Sequence, residues 1–370
     1  MEISRKPEWS KEVAATPIET GSGAFSRTVL AVVVSYKTSD LVKNLLVSLD
    51  KERKTEAARS FLLRVVVVDN DSGDAAPVRR AVNDAGYQDW VTVITAPRNG
   101  GFAYGNNLGF RHGFDTVPVP DYFLLLNPDT EVRSGAISAL VGFLDQHPDA
   151  GIVGSCLEYP DGRPWPFAFR FPSLLSELDN GLRLGVVSRL LHKHIVLRPM
   201  GNVPAQVDWF SGASMMLRRQ VIEEVGGMDE NYFLYFEETD FCRKIGAAGW
   251  ARYYVPASRV MHIIGQSTGL TGAKEGPKRL PAYWFESRRR YFAKNHGLLY
   301  AIATDAVFFL AHLVGEVKEK IKGHGNPGIP YLASDFLHYS VLRRSNWTLA
   351  SPQEWKPIRL QSSQRQSHVL

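Results

Sequence analysis

The chain has 370 residues, 44% apolar and 22% charged, which fits a soluble globular protein with one large α/β domain and an appendage, or two domains. Its two cysteines, Cys156 and Cys242, exclude a disulfide framework and point to a reducing compartment. The formal charge of +5 is uneven: Thr271 to Leu370 holds 15 Lys/Arg against 7 Asp/Glu, a net of +8, leaving −3 for the rest. That argues against a nucleic-acid-binding body and for an anionic partner near the tail, a phospholipid surface first.

Residues 1–26 carry no apolar stretch of the kind a secretory signal needs and read as a loosely held arm. Thr28 to Ser35 is a nearly unbroken β-branched run, as expected of a parallel strand buried on both faces. Asp40 to Leu49 has helical spacing. Leu62 to Val68 is a second strand and ends in Asp69-Asn70-Asp71-Ser72-Gly73-Asp74. Val91 to Thr95 is a third, and Asp121 to Leu126 a fourth that ends in Asn127-Pro128-Asp129. This rhythm predicts a doubly wound parallel sheet with ligands at the carboxyl ends of its strands. The polar clusters fall at those ends. Each is also an ordinary turn sequence when taken alone.

Arg98 to Asn107 (RNGGFAYGNN) joins a glycine pair, which lets backbone approach a ligand, to amides that bind phosphate or sugar hydroxyls. It is neither a Walker A loop nor a dinucleotide fingerprint. Trp209 to Trp250 holds an apolar segment, a Gly226-Gly227 turn, the aromatic run Tyr232 to Phe236, and the acids Glu237, Glu238 and Asp240 ahead of a short helix that Gly249 can end. By themselves these acids read first as the charged first turn of a helix and only second as an active-site rim.

Six segments in this order resemble the family 2 glycosyltransferases of the GT-A fold: VVVSYKTSDLVKNLLVSL, VVVVDNDSGD, RNGGFAYGNNLGF, LLLNPDT, FSGASMMLRRQVIEEVGGMDENYFLYFEETDFCRK and HIIGQSTG. The glycine-rich block most resembles the branch that contains rhamnosyltransferases of bacterial surface polysaccharides. The resemblance implies a Rossmann-like mixed α/β sheet over residues 27–270; the residues themselves read as a basic helical extension over 271–345 and a tail over 346–370. It implies that Ser35, Tyr36, Asp69, Asp71, Asn99, Gly101, Asn106 and Asn127 line the nucleotide-sugar pocket, with Asp69 accepting a hydrogen bond from the base. Asn127-Pro128-Asp129 stands where the family has Asp-x-Asp, so the site loses one negative charge. Asp129, helped by His262, would hold Mg²⁺ or Mn²⁺. Glu238 matches the general base, usually Asp, with Asp240 and then Glu237 as alternatives. Trp209, Phe210, Ser211 and Gly212 would form the acceptor side. The implied reaction is an inverting transfer, with dTDP-rhamnose the first donor and UDP-galactose or UDP-N-acetylglucosamine as alternatives, to a glycan or polyprenyl-linked acceptor. A non-catalytic binding protein of the same fold is a further reading. A nucleotidyltransferase is disfavoured, because Tyr36-Lys37-Thr38-Ser39 is no Gly-rich basic loop.

Tyr283 to Lys294 pairs aromatics with Arg288-Arg289-Arg290, a run suited to anionic lipid or a lipid-linked pyrophosphate. Leu298 to Val317 is apolar but interrupted by Asp305, His312 and Glu316, which predicts an amphipathic rather than a spanning helix; the basic run and this helix read equally as a solvated helical layer packed on the catalytic domain. The expected setting is therefore cytoplasmic, peripheral at the inner membrane face. Beyond Asn346 the chain is expected to fray.

Overall fold

The computed structural model describes residues 27–357, apart from 56, 166–167, 264–276 and 322–327. The N-terminal arm, the Ile264–Gly269 part of the histidine motif and residues 358–370 lie outside the described residues. The first half runs β1 (Arg27–Ser35), α1 (Ser39–Arg53), β2 (Phe61–Asp69), α2 (Ala75–Asp84), β3 (Val91–Thr95), α3 (Gly101–Phe114) and β4 (Tyr122–Leu126). Next come β5 (Thr130–Val132), α4 (Ala136–Gln146), β6 (Ala150–Glu158), β7 (Ala168–Phe169), α5 (Leu174–Leu182), α6 (Gly185–Leu190), β8 (Ala205–Gln206), β9 (Trp209–Phe210) and β10 (Ser214–Arg218). The chain continues through α7 (Arg219–Val225), α8 (Glu237–Ala247), β11 (Ala251–His262), α9 (Ala282–His296), α10 (Leu298–Ile321) and α11 (Leu332–Tyr339).

The main sheet orders its strands β3-β2-β1-β4-β10-β6-β11-β5, with β8 also paired to β11. β1 pairs in parallel with β2 and β4, and β2 with β3, as the β-branched runs predict. β10 enters antiparallel between β4 and β6, which makes the sheet mixed and brings the residues before Ser214 to the edge where β1, β2 and β4 end. β11 lies parallel to β6, so His262 arrives at that same edge, opposite Thr130 of the antiparallel β5.

The core is the two-sided burial of these strands, with Val32, Val33, Val66, Val67 and Phe123 fully enclosed. α3 reaches β1 closely because glycines recur along one face: a Cβ at Gly105 would stand 2.6 Å from Val34, and one at Gly109 2.2 Å from Val32.

α9, α10 and α11 pack beside α5 and α8. The Arg288-Arg289-Arg290 run does not face lipid. Arg288 is buried between Glu177 (2.6 Å) and Asp305, and Arg290 is buried against Asp229 (2.6 Å). Arg289 donates to the Tyr339 carbonyl at 3.0 Å. Guanidinium groups planted in apolar surroundings need paired carboxylates, and both buried pairs are supplied by other elements. Nor do residues 347–357 fray among the described residues. The Trp355 carbonyl accepts from the Gly227 N–H at 2.7 Å, the Trp355 ring lies 5.4 Å from Phe114, and Glu354 pairs with Lys244 at 2.7 Å.

Candidate active site

The sheet edge collects the polar ends of five strands. Ser35 closes β1, and its hydroxyl lies 2.9 Å from that of Thr38, while Tyr36 beside it stays exposed. Asp69 closes β2 fully buried. Its Oδ1 accepts from the N–H and hydroxyl of Ser72 and its Oδ2 from the Ala75 N–H at 3.1 Å, so this carboxylate shapes the loop that starts α2. Asp71 is exposed with a φ of 59°. Asn70 is a further residue of the site. Buried beside Asp69, it donates to the Asn99 side chain (3.0 Å) and to the Gly101 carbonyl (3.1 Å), tying the glycine pair to the end of β2. An amide inside an acidic turn gives no sequence signal to separate it from its neighbours.

Gly101 has a φ of +81°, and a Cβ there would stand 1.9 Å from the Phe233 carbonyl oxygen. The next N–H, of Phe102, donates to that carbonyl at 2.9 Å. The glycine loop is thereby docked to the aromatic run that precedes the acids. Asn106 does not face the cleft: it is buried and donates to the Phe102 carbonyl within α3.

Asn127 directly follows β4, and its N–H donates to the Ala213 carbonyl at 3.0 Å. Asp129 is buried, its carboxylate 3.3 Å from Nε2 of buried His262, and its carbonyl receives the Ile263 N–H at 3.0 Å. Trp165, absent from the sequence reading, covers His262 with ring centroids 5.5 Å apart. Among the described residues no group of three or more His, Cys, Asp or Glu is set to hold a metal alone. One carboxylate and one imidazole, with Nδ1 of His262 buried and without a partner among the described residues, fit a divalent cation whose remaining ligands come from substrate phosphates and water.

The three acids separate. α8 begins after Tyr235 and Phe236, both left-handed at φ 71° and 67°, a strain of roughly 1–3 kcal/mol each that turns the first residues of the helix toward the edge. Glu237 is buried. Glu238 is half-buried with its Oε2 inaccessible, and neither Oε2 has a hydrogen-bond partner among the described residues. Burial first, and then the Glu238 charge, pushes the Glu237 carboxyl well above the usual range. Burial also raises Glu238, only partly offset by its own N–H and that of Gly212. Asp240 sits two positions on, about 200° around the helix. It binds away from the cleft, to Lys294 (2.8 Å) and Asn295 (2.7 Å) of α9.

On the other wall, Trp209 is half-buried, stacks on Phe169 at 4.3 Å and donates its indole N–H to the Arg170 carbonyl. Phe210 is core rather than cleft, its ring pressed on Gly154 of β6. Ser211 and Gly212 form the turn between Phe210 and β10, with the Ser211 hydroxyl accepting from the Ala213 N–H at 3.3 Å. That turn touches Asn127 through Ala213 and Glu238 through Gly212, so it joins the two acidic parts of the site.

A parallel half-sheet, one antiparallel insertion and a carboxylate-lined edge define a GT-A glycosyltransferase. The family model described as "Glycosyltransferase like family 2" matches residues 26–290, and the chain belongs to that family. It is 32% identical over 251 residues to an N-acetylglucosaminyl-diphospho-decaprenol L-rhamnosyltransferase of Mycobacterium tuberculosis, covering 64% of this chain and 76% of that one. It is 24% identical over 300 residues to the dTDP-rhamnosyl transferase RfbF of Shigella flexneri, covering 80% and 90%. Among solved structures, GalNAc-T7 with UDP, GalNAc and Mn²⁺ superposes with a TM-score of 0.53 at 16% identity. That match spans 85% of this chain and 58% of the other, and it speaks for the fold alone.

Proposed function

We propose that the chain transfers rhamnose from dTDP-rhamnose to a lipid-linked glycan during assembly of a bacterial surface polysaccharide, with inversion at the anomeric carbon and Glu238 as the general base. The observation that carries this is Glu238 itself: a carboxylate with one buried oxygen that has no partner among the described residues, beside the Ser211-Gly212 turn on the strand-end edge. Glu237 is shut in and Asp240 is neutralised by Lys294, which leaves the half-buried Glu238 as the acid of the three that is neither fully enclosed nor ion-paired. Its raised pKa makes it a stronger base than an ordinary carboxylate, better matched to work near neutral pH. The acceptor hydroxyl gives its proton to Glu238 as its oxygen bonds to the anomeric carbon. The bond from that carbon to the diphosphate breaks, and the nucleoside diphosphate leaves from the opposite face. Asp129 and His262 would hold a divalent cation, which supplies positive charge for the departing diphosphate. Asn127 in place of an acid leaves the cation dependent on the donor for its other ligands, so binding of cation and donor should be mutually reinforcing. The rhamnosyl assignment rests on the two relatives named above.

The test is turnover across a panel of dTDP-, UDP- and GDP-sugars with and without Mn²⁺, reading the anomeric configuration of the product. Transfer from dTDP-rhamnose with metal and inverted product supports the reading. A preferred UDP-sugar corrects the donor, and nucleotide binding without any turnover replaces the enzyme with a binding protein.

A further inference from the structure

α10 is inside out. Its polar residues face the protein: Thr304 and Asp305 are fully buried, His312 nearly so, and Asp305 is bonded to Arg288 and to the Val341 N–H at 2.9 Å. Its outward stripe is apolar: Leu299 is 84% exposed, Leu310 63%, Leu313 41%, Val314 54%, Val317 57% and Ile321 81%. These positions recur at helical spacing and form one face along the 24-residue helix. The helix is long and apolar enough to cross a bilayer by composition. It is nevertheless fixed along the protein: a Cβ at Gly315 would stand 2.5 Å from the Gly181 carbonyl of α5, and Glu316 is paired with Arg183 at 2.7 Å.

The charge around the stripe selects its occupant. Lys318 donates to the Leu182 carbonyl at 3.3 Å, bringing the end of α10 against the α5–α6 corner. α6 there exposes Val186 (70%) and Leu190 (76%). From Arg183 to Gln206 the sequence has four Arg/Lys and no Asp or Glu. Glu316 and Glu319 are neutralised by Arg183 and Lys318. Arg189, Lys193 and Lys320 remain exposed. We propose that α10 and α6 form a membrane-docking face that lies flat on an anionic bilayer, with the apolar stripe in the interface and these cations at the headgroups. α10 begins beyond residue 290, where the family match ends, and the proposal does not rest on the donor or acceptor reading.

Both native cysteines are buried, so a full-chain Leu310→Cys variant can be labelled selectively with a polarity-sensitive fluorophore. The expected result is a blue shift and co-sedimentation with vesicles of equal parts phosphatidylglycerol and phosphatidylcholine, and neither with phosphatidylcholine alone at high salt. In the unlabelled protein, Leu310→Gln/Val314→Gln/Val317→Gln should weaken partitioning about tenfold or more at unchanged melting temperature. Arg189→Gln/Lys193→Gln/Lys320→Gln should weaken it about fivefold per charge removed. Absence of shift and sedimentation overturns the proposal. So does a blue shift that grows with protein concentration without lipid while the mass doubles, which would make the stripe an interface between two copies.

Discussion

At the scale of residues, the site turns on how three neighbouring acids are divided. The sequence carried the cluster, but not the division, because the phase of α8 and the arrival of Lys294 and Asn295 from α9 are tertiary facts. Asn70 and Trp165 were invisible for the same reason: their partners lie on other loops. Glu237 makes its own prediction. Its folded pKa is raised, so its contribution to stability is fully present below the unfolded carboxyl value and is lost as pH rises through the folded one. Glu237→Gln removes the buried charge. It should therefore melt like the wild type in acid and above it at alkaline pH, a divergence that calorimetry across pH would measure. A constant offset at all pH values would mean that Glu237 does not titrate as its burial requires.

At the scale of elements, β1, β2 and β4 were legible because strands buried on both faces become unbroken apolar runs, and β3 by its β-branched residues although it is only half-buried. β6, β10 and β11 were not. β6 is diluted by Gly151, Gly154 and Ser155, β10 has only three apolar residues between Ser214 and Arg218 and no β-branched one, and β11 contains Pro256 where its register against β6 shifts. The glycine pair in residues 98–107 reads in sequence as close backbone approach to a ligand, whereas Gly105, Gly109 and Gly113 set how closely α3 approaches β1. Gly109→Ala should cost stability despite the better helix propensity of alanine, a net loss of roughly 1–2 kcal/mol, because its methyl meets Val32. Val32→Ala in the same chain should recover part of that loss in urea melts. Additive losses would show that the two residues do not press on each other.

At the scale of the whole molecule, the C-terminal quarter is wired into the catalytic body. Asp229 joins the turn after α7 to Arg290, Lys294 and the Gln353 N–H. Burial alone would raise its pKa, but Asn231, Arg290 and Lys294 bring it to about 2. The sequence could not announce this, since residues 347–357 have little regular structure and make their contacts with Gly227, Lys244 and Phe114. Trp355→Ala should lower unfolding free energy by roughly 1–3 kcal/mol, and an unchanged urea midpoint would return this stretch to the status of a tail. The proposed transfer depends on Glu238, and the most direct measurement is single-turnover transfer by wild type, Glu238→Gln and Asp240→Asn, with donor affinity measured in parallel. The expected result for Glu238→Gln is unchanged donor affinity with transfer slowed about 10²–10⁴-fold, while Asp240→Asn loses stability more than rate. Equal rates for wild type and Glu238→Gln, with transfer abolished in a folded Asp240→Asn, would contradict it.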